Sequence, residues 1–155
     1  MASFDPISSG KAKAILDTPT EFSSDAKVIR YTKPAMQRPK HIVLLCRTSS
    51  MFSTVQVISP GGGENKLHSH SNLDGFWFVL RGRVRFYTTD DEVIAELGPE
   101  EAVSIPHNYP YWFENIGETD VELLQVESLL NAGETVQRTL HAGEEVEENF
   151  DVSEV

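Results

Sequence analysis

Between residues 41 and 133 the chain alternates short apolar, β-branched and aromatic runs with clusters of Gly, Pro, Asn and Asp, the pattern of strands joined by tight turns. The runs predict eight strands: Ile42–Arg47, Phe52–Ile58, Phe76–Leu80, Arg83–Thr88, Val93–Leu97, Ala102–Ile105, Tyr111–Glu114 and Val121–Val126. Pro60-Gly61-Gly62-Gly63, Arg81-Gly82, Asp90-Asp91, Gly98-Pro99, His107-Asn108 and Gly117-Glu118 supply the turn chemistry between them. No long helical period interrupts the series, which argues against parallel crossovers and a doubly wound sheet and leaves a sandwich or barrel. Phe76-Trp77-Phe78-Val79-Leu80 is apolar at consecutive positions, so both faces of that strand need cover, one of them from a second sheet or a second subunit.

The two ends read differently. Pro6, Pro19, Pro34 and Pro39 restrict residues 1–40 to an arm with at most a short helix around Lys11 to Leu16. Residues 134–155 combine dense acid with few apolar residues and read as a solvated acidic tail around a single barrel of residues 41–133. At 155 residues one domain with a sizeable core is expected. The net charge of -11 has the wrong sign for phosphate backbones or anionic lipid heads, so neither nucleic acid nor a membrane is an expected partner. The single Cys46 allows no intramolecular disulfide or Cys-rich zinc site, sits in an apolar run as an inert thiol, and fits a cytoplasmic location.

The sharpest chemical feature is Leu67-His68-Ser69-His70, because residues two apart on a strand share a face and bring two imidazoles side by side. Such a pair suits iron, nickel, copper or zinc better than magnesium or calcium; two hydrogen-bonded histidines in a polar pocket is the plainer alternative. Arg81, Arg83 and Arg85 alternate along one side of a hairpin and read as a solvated or ion-paired face.

The spacing around the histidines resembles the cupin superfamily. Gly62, His68, His70 and Gly82 stand in register with its first motif, with Gly75 in the place of the glutamate. In the second motif Pro106 and Asn115 match, while Glu100, Asn108 and Tyr111 occupy the positions of two glycines and the third histidine. The resemblance implies an all-β, jelly-roll barrel of the double-stranded β-helix type, and it implies that three histidines and a glutamate hold a metal where one is bound. This chain keeps two of those four, His68 and His70, with Tyr111 as a candidate third ligand or proton donor.

If His68, His70, Gly75, Trp77, Val79, Tyr111 and Phe113 face the lumen, they form an aromatic pocket with a small polar cluster, suited to an apolar or aromatic substrate with one or two oxygen functions. Gly75, Trp77, Phe113 and His107, at the barrel mouth, are the candidate substrate-binding residues. Asp74 should point to the other face, and Phe76, Phe78 and Trp112 should point outward into a homodimer interface to which the N-terminal arm contributes. Three functions stay open. One is a metal-dependent oxygenase, lyase or isomerase built on His68 and His70; the second is a metal-free isomerase, cyclase or dehydratase in which His68 or His70 and Tyr111 exchange protons; the third is a small-molecule-binding protein without turnover.

Overall fold

The computed structural model describes residues 25–62, 65–143 and 150–155, and over them the chain is all-β with one 3₁₀ turn at Thr89–Asp91. The predicted short helix around Lys11 to Leu16 lies outside the described residues. Eleven strands appear: β1 (Lys40–Arg47), β2 (Met51–Ile58), β3 (His68–His70), β4 (Leu73–Arg81), β5 (Val84–Tyr87), β6 (Val93–Leu97), β7 (Ala102–Ile105), β8 (Trp112–Asn115), β9 (Val121–Leu129), β10 (Arg138–Leu140) and β11 (Phe150–Glu154). They form a six-stranded sheet in the order β11-β1-β2-β9-β4-β7, a three-stranded sheet β6-β5-β8, and a two-stranded ribbon of β10 and β3. The sheets face each other across a jelly-roll interior without closing into one continuous hydrogen-bonded barrel.

The eight predicted strands are all present; β1, β2, β4 and β9 are longer than predicted, β6 and β7 match, β5 is shorter by a residue at each end and β8 is shifted by one. Two findings depart from the sequence reading. The acidic C-terminal segment is not simply solvated, since β10 pairs antiparallel with the histidine strand β3 and β11 pairs with β1. The β1·β11 pair is moreover parallel, which the absence of a long helix had argued against; β1 and β11 are the first and last of the described strands, so they are not joined as neighbours in sequence.

Turn positions of the second motif keep the backbone that glycine would give. Glu100 and Asn108 take the left-handed conformation (φ 69° and 62°), and the Asn108 N–H donates to the His70 carbonyl at 2.7 Å, tying that turn to the histidine strand. Gly82 (φ 83°) is required on two counts, because a Cβ there would also stand 2.8 Å from the Asp120 carbonyl oxygen. Asn115 pins the end of β8: its amide donates to the carbonyls of Ile58 and Thr119, and its Oδ1 accepts from the Gly117 N–H.

Cover for the outer face of the large sheet comes from the chain itself. Ile29, Tyr31 and Met36 of the arm pack on Val43, Leu45, Val55 and Val57, and the Tyr31 hydroxyl donates to Glu122 at 2.7 Å. The outward aromatics also find partners at home. Phe76 stacks on Phe78, and Trp112 stacks on Tyr87 at 4.1 Å and donates to Asp91. The arginine ladder is ion-paired, with Arg81 on Glu122 and both Arg83 and Arg85 on Glu96. Cys46 is half-buried with its sulfur 3.0 Å from the Ser53 hydroxyl. Among the described residues no helix is long and apolar enough to cross a membrane.

Candidate functional site

The inward positions of three neighbouring strands change character together. Along β2 they run Phe52, Thr54, Gln56, Ile58; along β9 they run Leu129, Glu127, Gln125, Leu123; along β4 they run Leu73, Gly75, Trp77. One apolar cluster (Ile42, Leu44, Phe52, Leu73, Val136) therefore closes one end of the interior, and a larger one around Trp77, Phe86, Tyr111 and Phe113 fills the other. Between them lies a buried polar belt. Thr54, Gln56, Gln125 and Glu127 are each less than 5% exposed, and burying such groups is unfavourable unless they are hydrogen-bonded to one another or to something bound.

The belt is wired in one direction. The Thr54 hydroxyl and the Gln56 amide both donate to Gln125 Oε1, at 3.0 and 2.8 Å, and the Gln125 amide donates in turn to Glu127 Oε1. Glu127 Oε2 is left buried without a partner. Burial pushes the Glu127 carboxyl up to about 8, against the opposing pull of the Gln125 hydrogen bond.

β3 adds the histidines. His68 is held by a two-way backbone bridge to Tyr111, and its Nδ1–H donates to the Lys66 carbonyl, which fixes the tautomer and leaves Nε2 as an acceptor. The His68 ring lies 4.9 Å from that of His70, edge-on, and 4.6 Å from that of Tyr111. Both imidazoles are held neutral. Burial lowers His70 to about 4, with Arg138 adding to the effect, and burial, then the charges of His70, Arg138 and Lys40, lowers His68 well below its ordinary value. The tail sets that field, because β10 places Arg138 opposite His70. Burial, reinforced by the Glu127 carboxylate, raises Tyr111, so its phenol is a hydrogen-bond donor rather than a phenolate.

His70, Gly75, Tyr111 and Glu127 line one cavity of about 10 Å³, room for a single water-sized group, which reaches the surface beside Pro106 and Tyr109. His70 Nε2 is buried there without a partner, as is Glu127 Oε2. The sequence-predicted site residues thus separate. His70, Tyr111 and Gly75 reach the cavity, and His68 stands beside them; Trp77 and Phe113 are core, their rings packed 4.9 Å apart, and they fill the lumen that an aromatic substrate would need. His107 lies exposed at the rim, bonded through its ring and backbone N–H to Asp74 at 3.0 and 2.9 Å.

Glu127, Gln125, Thr54, Gln56 and Arg138 were not legible as site residues. The available signal was Gln125 and Glu127 two apart, alternating with the apolar Leu124 and Val126.

Does this donor set suit a metal ion? Among the described residues no three His, Cys, Asp or Glu side chains gather as a metal site. His68, His70 and the nearby Glu127 offer two imidazole nitrogens and a carboxylate, but as placed they do not converge on one point as the ligands of a resident divalent ion would.

Comparison with known proteins agrees with the architecture. Residues 54–127 match the family model described as Cupin domain. An uncharacterized conserved protein with a double-stranded β-helix domain from Klebsiella pneumoniae superposes with a TM-score of 0.59 at 16% identity, covering 77% of this chain and all of that one. An RmlC-like cupin family protein from Methanocaldococcus jannaschii gives 0.56 at 20% identity over 67% of this chain and 91% of its own. KdgF from a Halomonas species gives 0.58 at 14% identity over 69% and 96%. At these identities the likeness is one of fold. No curated protein matches the chain.

Proposed function

The chain is a cupin-domain protein, and from that premise we propose that it binds a small oxygenated molecule in the polar belt and catalyses proton transfer on it, as an isomerase or dehydratase does, without a resident metal. The observation that carries this reading is the pair of unpartnered buried atoms, His70 Nε2 and Glu127 Oε2, on the wall of one cavity with Tyr111. Two titratable groups whose surroundings drive them apart, one imidazole to about 4 and one carboxyl to about 8, are the raw material of acid–base chemistry near neutral pH.

Each residue then has a task. Glu127, nearest to neutrality, takes a proton from the substrate as carboxylate or gives one as acid. His70 Nε2 and the Tyr111 hydroxyl hold the substrate oxygen on which charge develops, and the apolar clusters exclude water from either end. The aromatic-substrate expectation narrows here, since Trp77, Phe86 and Phe113 occupy that space themselves. A single polar group enters the cavity, and the rest of the molecule stays at the Pro106–Tyr109 rim.

The test is solvent-deuterium incorporation, followed by proton NMR, into a panel of small hydroxy acids, keto acids and hydroxyaldehydes. Exchange that survives exhaustive chelation and collapses in Glu127→Gln and Tyr111→Phe supports the reading. Exchange that stops on chelation and returns with a divalent ion overturns it in favour of a metal enzyme, and a panel that never exchanges reduces the chain to a binding protein. For assembly we propose a homodimer through the exposed Phe76 region, 42% exposed at that residue; a monomeric mass in solution would contradict it.

A further inference from the structure

We infer that the cavity beside Glu127 is a chamber for the one water molecule that the reaction releases or consumes. The activity is then elimination of water from a β-hydroxy carbonyl compound, and its reverse; this deepens the acid–base reading above and rests on it. The size of the chamber selects its occupant. At about 10 Å³ it has room for a single water-sized group, and it reaches the surface beside Pro106 and Tyr109. An isomerase has no product of that size to house, whereas a hydroxyl that enters on a substrate fits there and still fits once it has become water. The lining selects the same occupant. Gln125 directs its amide N–H at Glu127 Oε1, which leaves Oε2 to carry the proton. Trp77 donates to the Tyr111 oxygen, which leaves the phenol its own proton to give. His70 Nε2, unpartnered like Glu127 Oε2, completes the wall. Hydroxyl donors thus stand beside an imidazole nitrogen, and a hydroxyl or a water, which both gives and accepts hydrogen bonds, is the small group that uses them all.

Glu127 performs both halves of the step. As carboxylate, its Oε2 takes the proton from the carbon next to the substrate carbonyl. The C–H electron pair forms the new C=C bond, the C–O pair leaves with the hydroxyl oxygen, and the same Oε2–H gives its proton to that oxygen. Water and the conjugated carbonyl compound are the products, and Glu127 returns to its starting charge. The carbonyl is required, because a carboxylate draws a proton only from a carbon whose anion a neighbouring C=O delocalises. Burial holds Glu127 at about 8, so both of its forms are populated near pH 7, with the acid in excess. The oxygen on which charge develops is the leaving hydroxyl, and His70 and Tyr111 line the chamber that receives it. Because one oxygen takes and returns the proton, H and OH leave from the same side of the substrate.

The test incubates the full chain with a panel of 3-hydroxy ketones and 3-hydroxy acids in water enriched in both oxygen-18 and deuterium. Recovered compounds are read by mass spectrometry and proton NMR against a protein-free control. Oxygen-18 at C3 and deuterium at C2 of the same 3-hydroxy compound are expected, with its conjugated product present, because reversible elimination installs both labels. Glu127→Gln keeps the size of the side chain but cannot exchange the proton, and it should lower both labels by about 100-fold or more while the amide spectrum stays dispersed. Gly75→Leu, which takes up the chamber, should lose both as well. Deuterium at C2 with no oxygen-18 at C3 overturns this inference and leaves the acid–base reading standing as an isomerase. Oxygen-18 uptake that survives in Glu127→Gln or in a folded Gly75→Leu overturns the assignment of the step to this chamber. Neither label in any member of the panel overturns both readings.

Discussion

Gly75 and Glu127 stand directly opposite each other in the β4·β9 ladder, so the strand position that lacks a carboxylate faces one supplied by its neighbour. The two features form one arrangement. Gly75 and Glu127 both line the cavity, so a bulky side chain at 75 would take up its space. A Cβ at 75 would meet only ordinary contacts, the Ile105 carbonyl oxygen at 3.6 Å and Trp77 Nε1 at 3.7 Å. Gly75→Ala is therefore expected to fold as wild type, whereas Gly75→Leu fills the cavity and abolishes exchange with a native-like near-UV spectrum. Retained exchange in the leucine variant would show that the cavity is not used.

The pH dependence of stability follows from the same belt. Glu127, ordinarily near 4.5, is raised to about 8, so the folded state holds a proton that the unfolded state releases, and its contribution falls as pH rises between those values. The histidines act oppositely. Both lie below their ordinary 6.5, the unfolded chain binds protons they refuse, and stability falls as pH drops below 6.5. From 4.5 to 6.5 two histidines outweigh one glutamate and stability rises; from 6.5 to 8 only the glutamate acts and it declines, each limb by about 1.4 kcal/mol per pH unit. Urea midpoints against pH should peak near 6.5, and Glu127→Gln should flatten the alkaline limb. A midpoint that climbs steadily to pH 8 would contradict the buried protonated carboxyl.

Core truncation separates packing from chemistry. Trp77→Ala or Phe113→Ala removes a buried ring from the larger cluster and should cost about 3–5 kcal/mol by chemical denaturation. Tyr111→Phe keeps the ring but removes the hydroxyl that is hydrogen-bonded to Trp77, so it should cost about 1–3 kcal/mol, less than removing a ring, and lower exchange by about 100-fold or more; a loss of stability equal to that of the ring truncations would make Tyr111 a packing residue.

The tail is expected to be structural. Truncation after Gly133 removes Val136 from the smaller cluster, Arg138 from beside His70, and the strands that pair with β3 and β1. The truncated chain should unfold at lower urea and raise the His70 titration from about 4 toward its ordinary value, read by imidazole proton shifts. An unchanged His70 would mean that β10 does not shape the site.

How much of this was legible beforehand depended on what set the parity of each strand. The strand series and the His68-x-His70 pair came through because turn chemistry and period-two spacing are local. The belt did not, since in Thr54-Val55-Gln56-Val57 and Leu124-Gln125-Val126-Glu127 alternation alone assigns the apolar residues to the core. In the fold Val55, Val57 and Leu124 face outward beneath Ile29, Tyr31 and Met36, and the polar residues between them face in. The arm's cover inverts the reading of both strands. Phe150 and Val152 likewise pack on the smaller cluster from a segment whose composition reads as solvated, because pairing with β1 is a long-range event that composition does not encode.

Elemental analysis of chelator-free wild type beside His68→Ala/His70→Ala tests the central claim most directly. A metal-free acid–base site predicts well under one equivalent of iron, nickel, copper or zinc in wild type and no difference between the two proteins. About one equivalent that vanishes in the double variant would contradict it and return His68 and His70 to the role of metal ligands.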